Sequence, residues 1–249
     1  MIQSPWASQW LTKISDLYLR LSAVEVLSYL RERYGYKVLS EMLGLQVSVL
    51  SRYINGRVLP NTSRAERIVG LFNESLLSDI VRQRLSRTEE GFYDLSAIVT
   101  DVGLLRLVAK VVCNEFRVFS INKLLTVATD GIPLAVQVAA ELRAELVIAK
   151  KRKDLNIKSY FEEPIKRAPA LVEYLYVPRG VLRKSDVILI IDDVARSGET
   201  ISGLIRIVNR AGARLAGVFT IVMLEEVRER LKQALGPSGV LKSLLTFTS

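Results

Sequence analysis

Through residues 8 to 85 the apolar side chains recur every three to four positions, the period of a helix with one face turned to a core. The spacing predicts helices near 8–20, 23–34, 36–43, 46–54 and 64–85. Ser22-Ala23-Val24-Glu25 and Ser63-Arg64-Ala65-Glu66 carry the Ser-x-x-Glu spacing of a capping box and mark two helix starts. Gly35, Gly44 and Gly56 supply the stops. Trp6 and Trp10 read as core or interface aromatics rather than platforms for stacking nucleic-acid bases.

After Tyr93 the texture changes. Short Val/Ile/Leu runs predict strands at 124–128, 146–149, 171–176, 187–191 and 216–223. Helices near 102–116, 132–143, 200–211 and 225–235 fall before or between them. Repeated alternation of strand and helix implies right-handed crossovers and a parallel sheet. The fold class expected is therefore an N-terminal all-α domain joined to an α/β domain whose parallel sheet is flanked by helices. The stretch Ser86-Arg87-Thr88-Glu89-Glu90-Gly91 contains no apolar residue and sets the boundary, giving domains 1–85 and 86–249.

Composition narrows the chemistry. With 49% apolar and 24% charged residues in 249, the chain is a folded protein and not a disordered tail. It has no His and a single Cys, Cys113. Ser/His/Asp and Cys/His triads, His-ligated zinc and an intramolecular disulfide are thereby excluded. Proton chemistry is left to carboxylates, Lys, Tyr or bound water. The start, Met1-Ile2-Gln3-Ser4-Pro5-Trp6, lacks the layout of a signal peptide, and no uncharged apolar run reaches about 18 residues. A cytoplasmic protein that meets no membrane is expected.

The formal charge is +9, from 35 Lys+Arg against 26 Asp+Glu. That balance suits an anionic partner such as DNA or a phosphate compound, and equally a merely basic surface. Before Ser86 there are 11 basic and 7 acidic residues, and after it 24 and 19. Neither half is basic as a whole, so the partner has to be sought in local motifs.

The first such motif is Tyr36 to Leu45, a short helix closed by Gly44, followed by a second short helix from Gln46 to Ile54 with Val49, Leu50 and Ile54 as its apolar face. Two short helices packed at a steep angle leave the polar edge of the second exposed. That edge carries Gln46, Ser48, Ser51, Arg52 and Asn55, with Arg57 just beyond. Asn and Gln pair with adenine edges, Arg with guanine or phosphate, and Ser with phosphate. Residues 23 to 72 resemble the Cro and repressor type of helix-turn-helix, the likeness being carried by Ser51-Arg52-Tyr53-Ile54-Asn55-Gly56 and the following Pro60. The resemblance implies binding of double-stranded DNA. It also implies a homodimer, since one such module buries too little surface for tight specific binding. The plainer alternative is a small helical domain with a glycine turn and solvated Arg.

The second motif is Val187-Ile188-Leu189-Ile190-Ile191-Asp192-Asp193-Val194-Ala195-Arg196-Ser197-Gly198-Glu199-Thr200. Five apolar residues suit a strand buried on both faces, here expected to end at two carboxylates. The small-residue loop then enters a helix near Thr200, where backbone N–H groups attract phosphate and the Ser197 and Thr200 hydroxyls add donors. Adjacent carboxylates bind sugar hydroxyls or hold Mg2+ through water.

The segment resembles the signature of the type I phosphoribosyltransferases, which bind phosphoribosyl pyrophosphate (PRPP). The resemblance covers about residues 94–235. It implies that Asp192 and Asp193 bond the ribose hydroxyls and that Ala195, Arg196, Ser197, Gly198, Glu199 and Thr200 hold the 5-phosphate. Thr129, Asp130 and Gly131, ahead of Ile132-Pro133-Leu134-Ala135, look like the family's pyrophosphate loop. Within Lys150-Lys151-Arg152-Lys153, Lys151 takes the place of a basic residue that reaches the pyrophosphate; a solvated charge run is the alternative. Ser159-Tyr160 resembles the pair found on a mobile lid, and Met223 to Glu226 is the nearest candidate for reading a base. Mg2+ with PRPP is the implied cofactor, and no metal site of the protein's own is expected. Glu199 departs from the pattern: turned inward it would repel phosphate, so it is expected to point out, with Arg196 as a cation able to offset it.

The pairing of both motifs resembles transcription regulators in which a phosphoribosyltransferase-like domain has become a sensor of PRPP or a nucleotide. The other class implied is an active purine phosphoribosyltransferase. No catalytic residue is assigned, because this chemistry requires no His.

Overall fold

A computed structural model describes residues 5–89, 92–168, 171–237 and 239–248. The side chains of residues 5–12 and 168 lie outside the described residues, and with them the expectation for Trp6 and Trp10. So do Glu90 and Gly91 of the expected boundary. The chain divides into two compact units, Met1–Ile80 and Val81–Ser249.

The first unit is helical. Helix α1 spans Pro5–Leu43 and is broken at Gly35, whose φ of 72° and ψ of 171° no helix contains. The helices expected at 8–20 and 23–34 are therefore one. Nothing between Arg20 and Ala23 breaks it, and Ala23, Val26, Leu27 and Leu30 carry the buried stripe straight through. Ser22 lies inside the helix and caps nothing.

Gly44, at φ +62°, turns the chain into α2, Val47–Ile54, which starts at Gln46 and buries Leu50 and Tyr53. Helix α3, Thr62–Leu71, starts earlier than the Ser63 box predicts, because the Asn61 side chain accepts the Arg64 amide at 3.0 Å. A π-helical turn, Phe72–Leu76, leads into α4, Leu77–Arg84. Helices α2 and α3 both pack on α1. Arg20 Nε donates to the Pro60 carbonyl at 2.6 Å, and the Thr62 hydroxyl donates to Asp16, fixing the segment that enters α3.

The second unit begins at Val81, within α4, and goes on to a hairpin of β1, Ser86–Arg87, on β2, Tyr93–Asp94, where a polar connector was expected. Helices α5, Ser96–Val99, and α6, Val102–Glu115, follow; Asp101 caps α6 by accepting the Leu104 amide at 2.9 Å. Then come β3 Lys123–Val127, α7 Ile132–Leu142, β4 Glu145–Ala149, β5 Tyr160–Ala168 and β6 Leu171–Pro178. The chain closes with β7 Val187–Ala195, α8 Glu199–Ala211, β8 Arg214–Leu224, α9 Glu225–Leu235 and β9 Val240–Phe247. Strands β4-β3-β7-β8-β9 form one parallel sheet in that order. Its core joins Leu125, Ile188, Ile190 and Val218 to Leu204, Ile205 and Leu231 of α8 and α9.

Two expectations are corrected here, and two strands were not anticipated. The strand expected at 171–176 belongs to an antiparallel ribbon with β5, not to the parallel sheet. Strand β5 escaped the pattern because its inward set of Phe161, Glu163 and Ile165 contains a charge. Glu163 is buried only because Arg206 and Arg210 of α8 both bond it, Arg210 at 3.2 Å. Strand β9 was missed because it is an edge strand with only Leu245 fully buried, so Val240–Phe247 never reads as an apolar run. Finally, β7 does not stop at Ile191. It pairs on to Ala195, Asp192 lying opposite Thr220 of β8, so the acids sit inside the ladder.

Candidate functional site

In a parallel sheet all strands point the same way, so the turns that follow β4, β3 and β7 emerge side by side at one edge. That edge gathers Lys151 after β4, Thr129 to Gly131 after β3, and Asp192 to Thr200 at the end of β7. Residues singled out in three separate stretches of sequence thus follow strands that end at the same edge, and of these Gly131 lies directly against Asp192.

Asp192 is buried, at 7% exposure, and its Oδ1 accepts the amide of Asp193 at 3.0 Å. Burial first, and then the charge of Asp193, pushes its carboxyl well above the usual carboxylate range. Gly131 presses on it from the neighbouring turn. A Cβ there would stand 2.5 Å from Thr126 Oγ1 and 3.1 Å from Asp192 Oδ1, so only glycine lets the β3–α7 turn close over the acid. Thr129 and Asp130 are exposed on top of it. The Thr126 and Thr220 hydroxyls are buried without a hydrogen-bond partner among the described residues. Buried hydroxyls left in that state cost free energy. The end of the sheet therefore holds a polar cluster that its own side chains do not satisfy.

The loop beyond it is built by α9. Gly198 starts α8 in the left-handed region, at φ +70°, and makes no side-chain cap. Of the first amides of α8, that of Glu199 makes only a long bond to Ser197 Oγ at 3.4 Å, which an anion at this helix start could replace. A Cβ at Gly198 would come within 2.5 Å of Val227, so α9 excludes a side chain there in addition to the backbone preference. Arg230, one helical turn on from Val227 and beside Leu231, donates to the Ser197 carbonyl and lies 3.5 Å from Glu199 Oε1. Glu199 is thus drawn towards α9, as its expected outward orientation requires. The cation that offsets it is Arg230 and not Arg196. The Arg196 guanidinium instead lies over Phe92, 3.6 Å from the ring centroid.

The other expectations divide. Lys151 ion-pairs with Glu173 of β6 at 3.3 Å, Lys150 with Asp154 at 2.8 Å, and Lys153 with Glu162 at 2.7 Å. Much of this basic run is therefore engaged with neighbouring acids. Tyr160 is buried, not on a loop, and its hydroxyl accepts the Asp154 amide at 2.8 Å, pinning the β4–β5 connection. Of the candidate stretch Met223 to Glu226, Met223 and Leu224 are buried in the core, while Glu225 and Glu226 at the start of α9 are exposed. Cys113 is no nucleophile, since burial, with Glu141 adding to it, pushes its thiol up to about 12.

In the helical unit, Gln46, Ser48, Arg52, Asn55 and Arg57 are exposed and Ser51 is half-buried. Asn55 Nδ2 donates to Ser51 Oγ at 3.1 Å, tying the two together on one edge of α2. Arg64, by contrast, is spent internally, donating to the hydroxyl of buried Tyr53 at 2.7 Å. The edge matches the one expected from the sequence, save that Tyr53 joins Leu50 on the buried face while Val49 and Ile54 are half-buried.

Residues 103–239 match the family described as Phosphoribosyl transferase domain, and residues 27–77 match the helix-turn-helix family of Cro type. A xanthine phosphoribosyltransferase of Clostridium tetani is 37% identical over 147 residues, covering 58% of this chain and 77% of that protein. One of Streptococcus equi is 28% identical over 142 residues, covering 56% and 72%. Among solved structures, adenine phosphoribosyltransferase from Rhodothermus marinus superposes with a TM-score of 0.61 at 21% identity, covering 70% of this chain and 99% of that one. The Giardia lamblia enzyme complexed with 9-deazaadenine gives 0.60 at 20%, covering 69% and 98%. At these identities the structural likeness speaks for the fold alone. No helix among the described residues is long and apolar enough to cross a membrane.

Proposed function

Because the chain belongs to the phosphoribosyl transferase domain family, we propose that it is a DNA-binding regulator of nucleotide metabolism, purine metabolism in particular, that senses PRPP or a nucleotide. In this reading residues 1–85 bind double-stranded DNA through Gln46, Ser48, Ser51, Arg52, Asn55 and Arg57. Residues 86–249 bind the ligand. Two copies act together, each reading half of a site. The observation that carries the proposal is that one chain has an exposed polar edge on α2 and, at the start of α8, a glycine-shaped amide loop beside an acid pair whose first member, Asp192, is buried. A salvage enzyme has no chemical use for the first.

At the ligand site, Asp192 and Asp193 would take ribose hydroxyls, the amides and hydroxyls from Ala195 to Thr200 the 5-phosphate, and Thr129 to Gly131 with Lys151 the pyrophosphate. Among the described residues no group of three carboxylates or thiols could hold a metal alone. The acid pair is suited to Mg2+ that arrives with its other oxygen ligands on the pyrophosphate and water. Magnesium so held would neutralise phosphate charge. The unliganded protein carries an unrelieved cost at Asp192, and a ligand that brings a hydroxyl donor or a cation removes it. Any shift in DNA affinity then equals the difference in ligand affinity between the two states.

The second reading is an active purine phosphoribosyltransferase, favoured by the xanthine enzyme that is 37% identical. One pair of assays separates the two. For a regulator, the protein retards its own upstream DNA in a salt-sensitive way, and no base yields pyrophosphate from PRPP and Mg2+. For an enzyme, pyrophosphate appears with one of adenine, guanine, hypoxanthine or xanthine. Failure to retard any genomic fragment sinks the regulator.

A further inference from the structure

The first half of α1 is apolar on two opposite sides. Ala23, Val26, Leu27 and Leu30 are buried, and α2 and α3 pack on this helix. At about 100° per residue, Ala23 stands half a turn round from Ile14. There, away from the buried side, Ile14, Leu17, Tyr18 and Leu21 are between 44% and 55% exposed. Ile14, Leu17, Leu21 and the half-buried Val24 follow one another in steps of three, four and three, the a and d spacing of a coiled coil. Trp10 stands one further step of four back in the sequence.

Charge and area say what covers such a stripe. From Lys13 to Glu25 the charged residues are Lys13, Asp16, Arg20 and Glu25, two of each sign. An anionic membrane surface or a nucleic acid is met by an excess of basic residues, and this stretch has none. Half-exposed, the four large side chains present about 350 Å2 on each copy, taking about 150–250 Å2 for a whole large side chain. That is close to half of the about 800 Å2 that each partner gives to a stable interface. Val24 adds to it, and α1 runs on back to Pro5 along the same line. A second copy brings a stripe of the same spacing and length, which is the match that knobs-into-holes packing needs.

We propose that the stripe Ile14, Leu17, Leu21 and Val24, with Tyr18 at its side, is the surface through which two copies of the chain associate, α1 against α1 about a two-fold axis. Since α2 and α3 are built on α1, pairing there sets the two polar α2 edges at a fixed separation, as reading two half-sites requires. The inference rests on the proposed DNA-binding reading for that consequence. It adds the surface that makes the pair.

The test uses the full chain in a Cys113→Ser background, with a short bismaleimide as cross-linker. Leu17→Cys should be captured as a covalent dimer at dilute protein, at least about tenfold more than Glu66→Cys, a control exposed on α3. Adding Leu21→Glu should remove that capture, because it would bury a charge in the seam. In the otherwise unaltered chain, the double variant Leu17→Glu, Leu21→Glu should weaken binding to the protein's own upstream DNA by at least about tenfold, the loss of two-site attachment. Both positions are exposed, so its Tm should stay within a few degrees of wild type. Mixing it with the double variant Leu17→Lys, Leu21→Lys should restore DNA affinity above that of either alone, since acid then faces base whichever way the helices run. Capture of Leu17→Cys no greater than the control, from a protein that still retards DNA, overturns the inference and leaves the regulator reading intact. Binding of wild type to anionic lipid vesicles that Leu17→Glu abolishes would overturn it too, by naming another occupant. Capture through Leu17→Cys in a protein that retards no DNA supports the surface and brings down the regulator reading instead.

Discussion

In the proposed reading the polar edge of α2 and the loop ahead of α8 both meet phosphate, yet they are made of different things. On α2 the groups are exposed side chains, Arg52, Asn55 and Arg57, standing on a short helix held from behind by Leu50 and Tyr53. Ahead of α8 they are backbone amides, shaped by a left-handed Gly198 and braced by Val227, Leu231 and Arg230. A surface made of side chains can lose one and keep the rest. A surface made of backbone depends on the residues that shape it, so its weakest points are those that touch no ligand. The two regions should accordingly respond to mutation and to salt in opposite ways.

The largest effect is expected at the acid pair. Replacing Asp192 and Asp193 by Asn should weaken PRPP binding by at least about 100-fold, because hydrogen bonds to charged groups are worth about 1.5–3 kcal/mol each. DNA affinity without PRPP should stay within about twofold. Calorimetry and a DNA titration on the same preparation check both; retained PRPP binding would show the site to be misassigned. Asp192→Asn alone has a second consequence. The folded wild type holds the Asp192 proton more tightly than the unfolded chain does. The stability from that proton is complete below the ordinary carboxylate pKa of about 4 and is lost as pH rises towards the raised value. The Tm of Asp192→Asn should therefore exceed that of wild type by a margin that grows with pH, about 2–4 °C for each kcal/mol relieved.

Next in size is the glycine that shapes the loop. Gly198→Ala should cost both stability and PRPP affinity, since φ +70° is strained for alanine and its methyl meets Val227. A fall in Tm of several degrees together with about tenfold weaker PRPP binding is expected. On the side-chain surface, Arg52→Ala should weaken DNA binding by about tenfold and lower the salt slope by about one, leaving PRPP affinity untouched. The smallest effect is expected at Arg230→Ala, about threefold on PRPP affinity. Glu199→Gln added to it should recover most of the loss, because what Arg230 chiefly supplies is cancellation of that charge.

How far the residue pattern reached follows the same division. The strands buried on both faces, β3 and β7, announced themselves as apolar runs, and the acids and glycines of the loop stood at a spacing that few other structures require. What stayed hidden depends on contacts between distant segments. Glu163 looks like a surface residue until Arg206 and Arg210 arrive from α8. Arg230 carries no motif; only its place beside Val227 and Leu231 on one face of α9 could have pointed to it. Phe92 closes a polar stretch just ahead of Tyr93, and nothing local shows that Arg196, more than a hundred positions on, will cover it. The Ser22 box failed for the opposite reason, since a local signature was overruled by an unbroken buried stripe.

The central claim is that ligand and DNA are read by one molecule, and recovery of genomic DNA bound to the protein in cells with normal and with depleted PRPP tests it most directly. The account predicts a small set of discrete sites whose occupancy differs between the two conditions, the difference vanishing when Asp192 and Asp193 are replaced by Asn. Uniform recovery with no enriched site, from a protein that releases pyrophosphate when given PRPP and a purine, would contradict it.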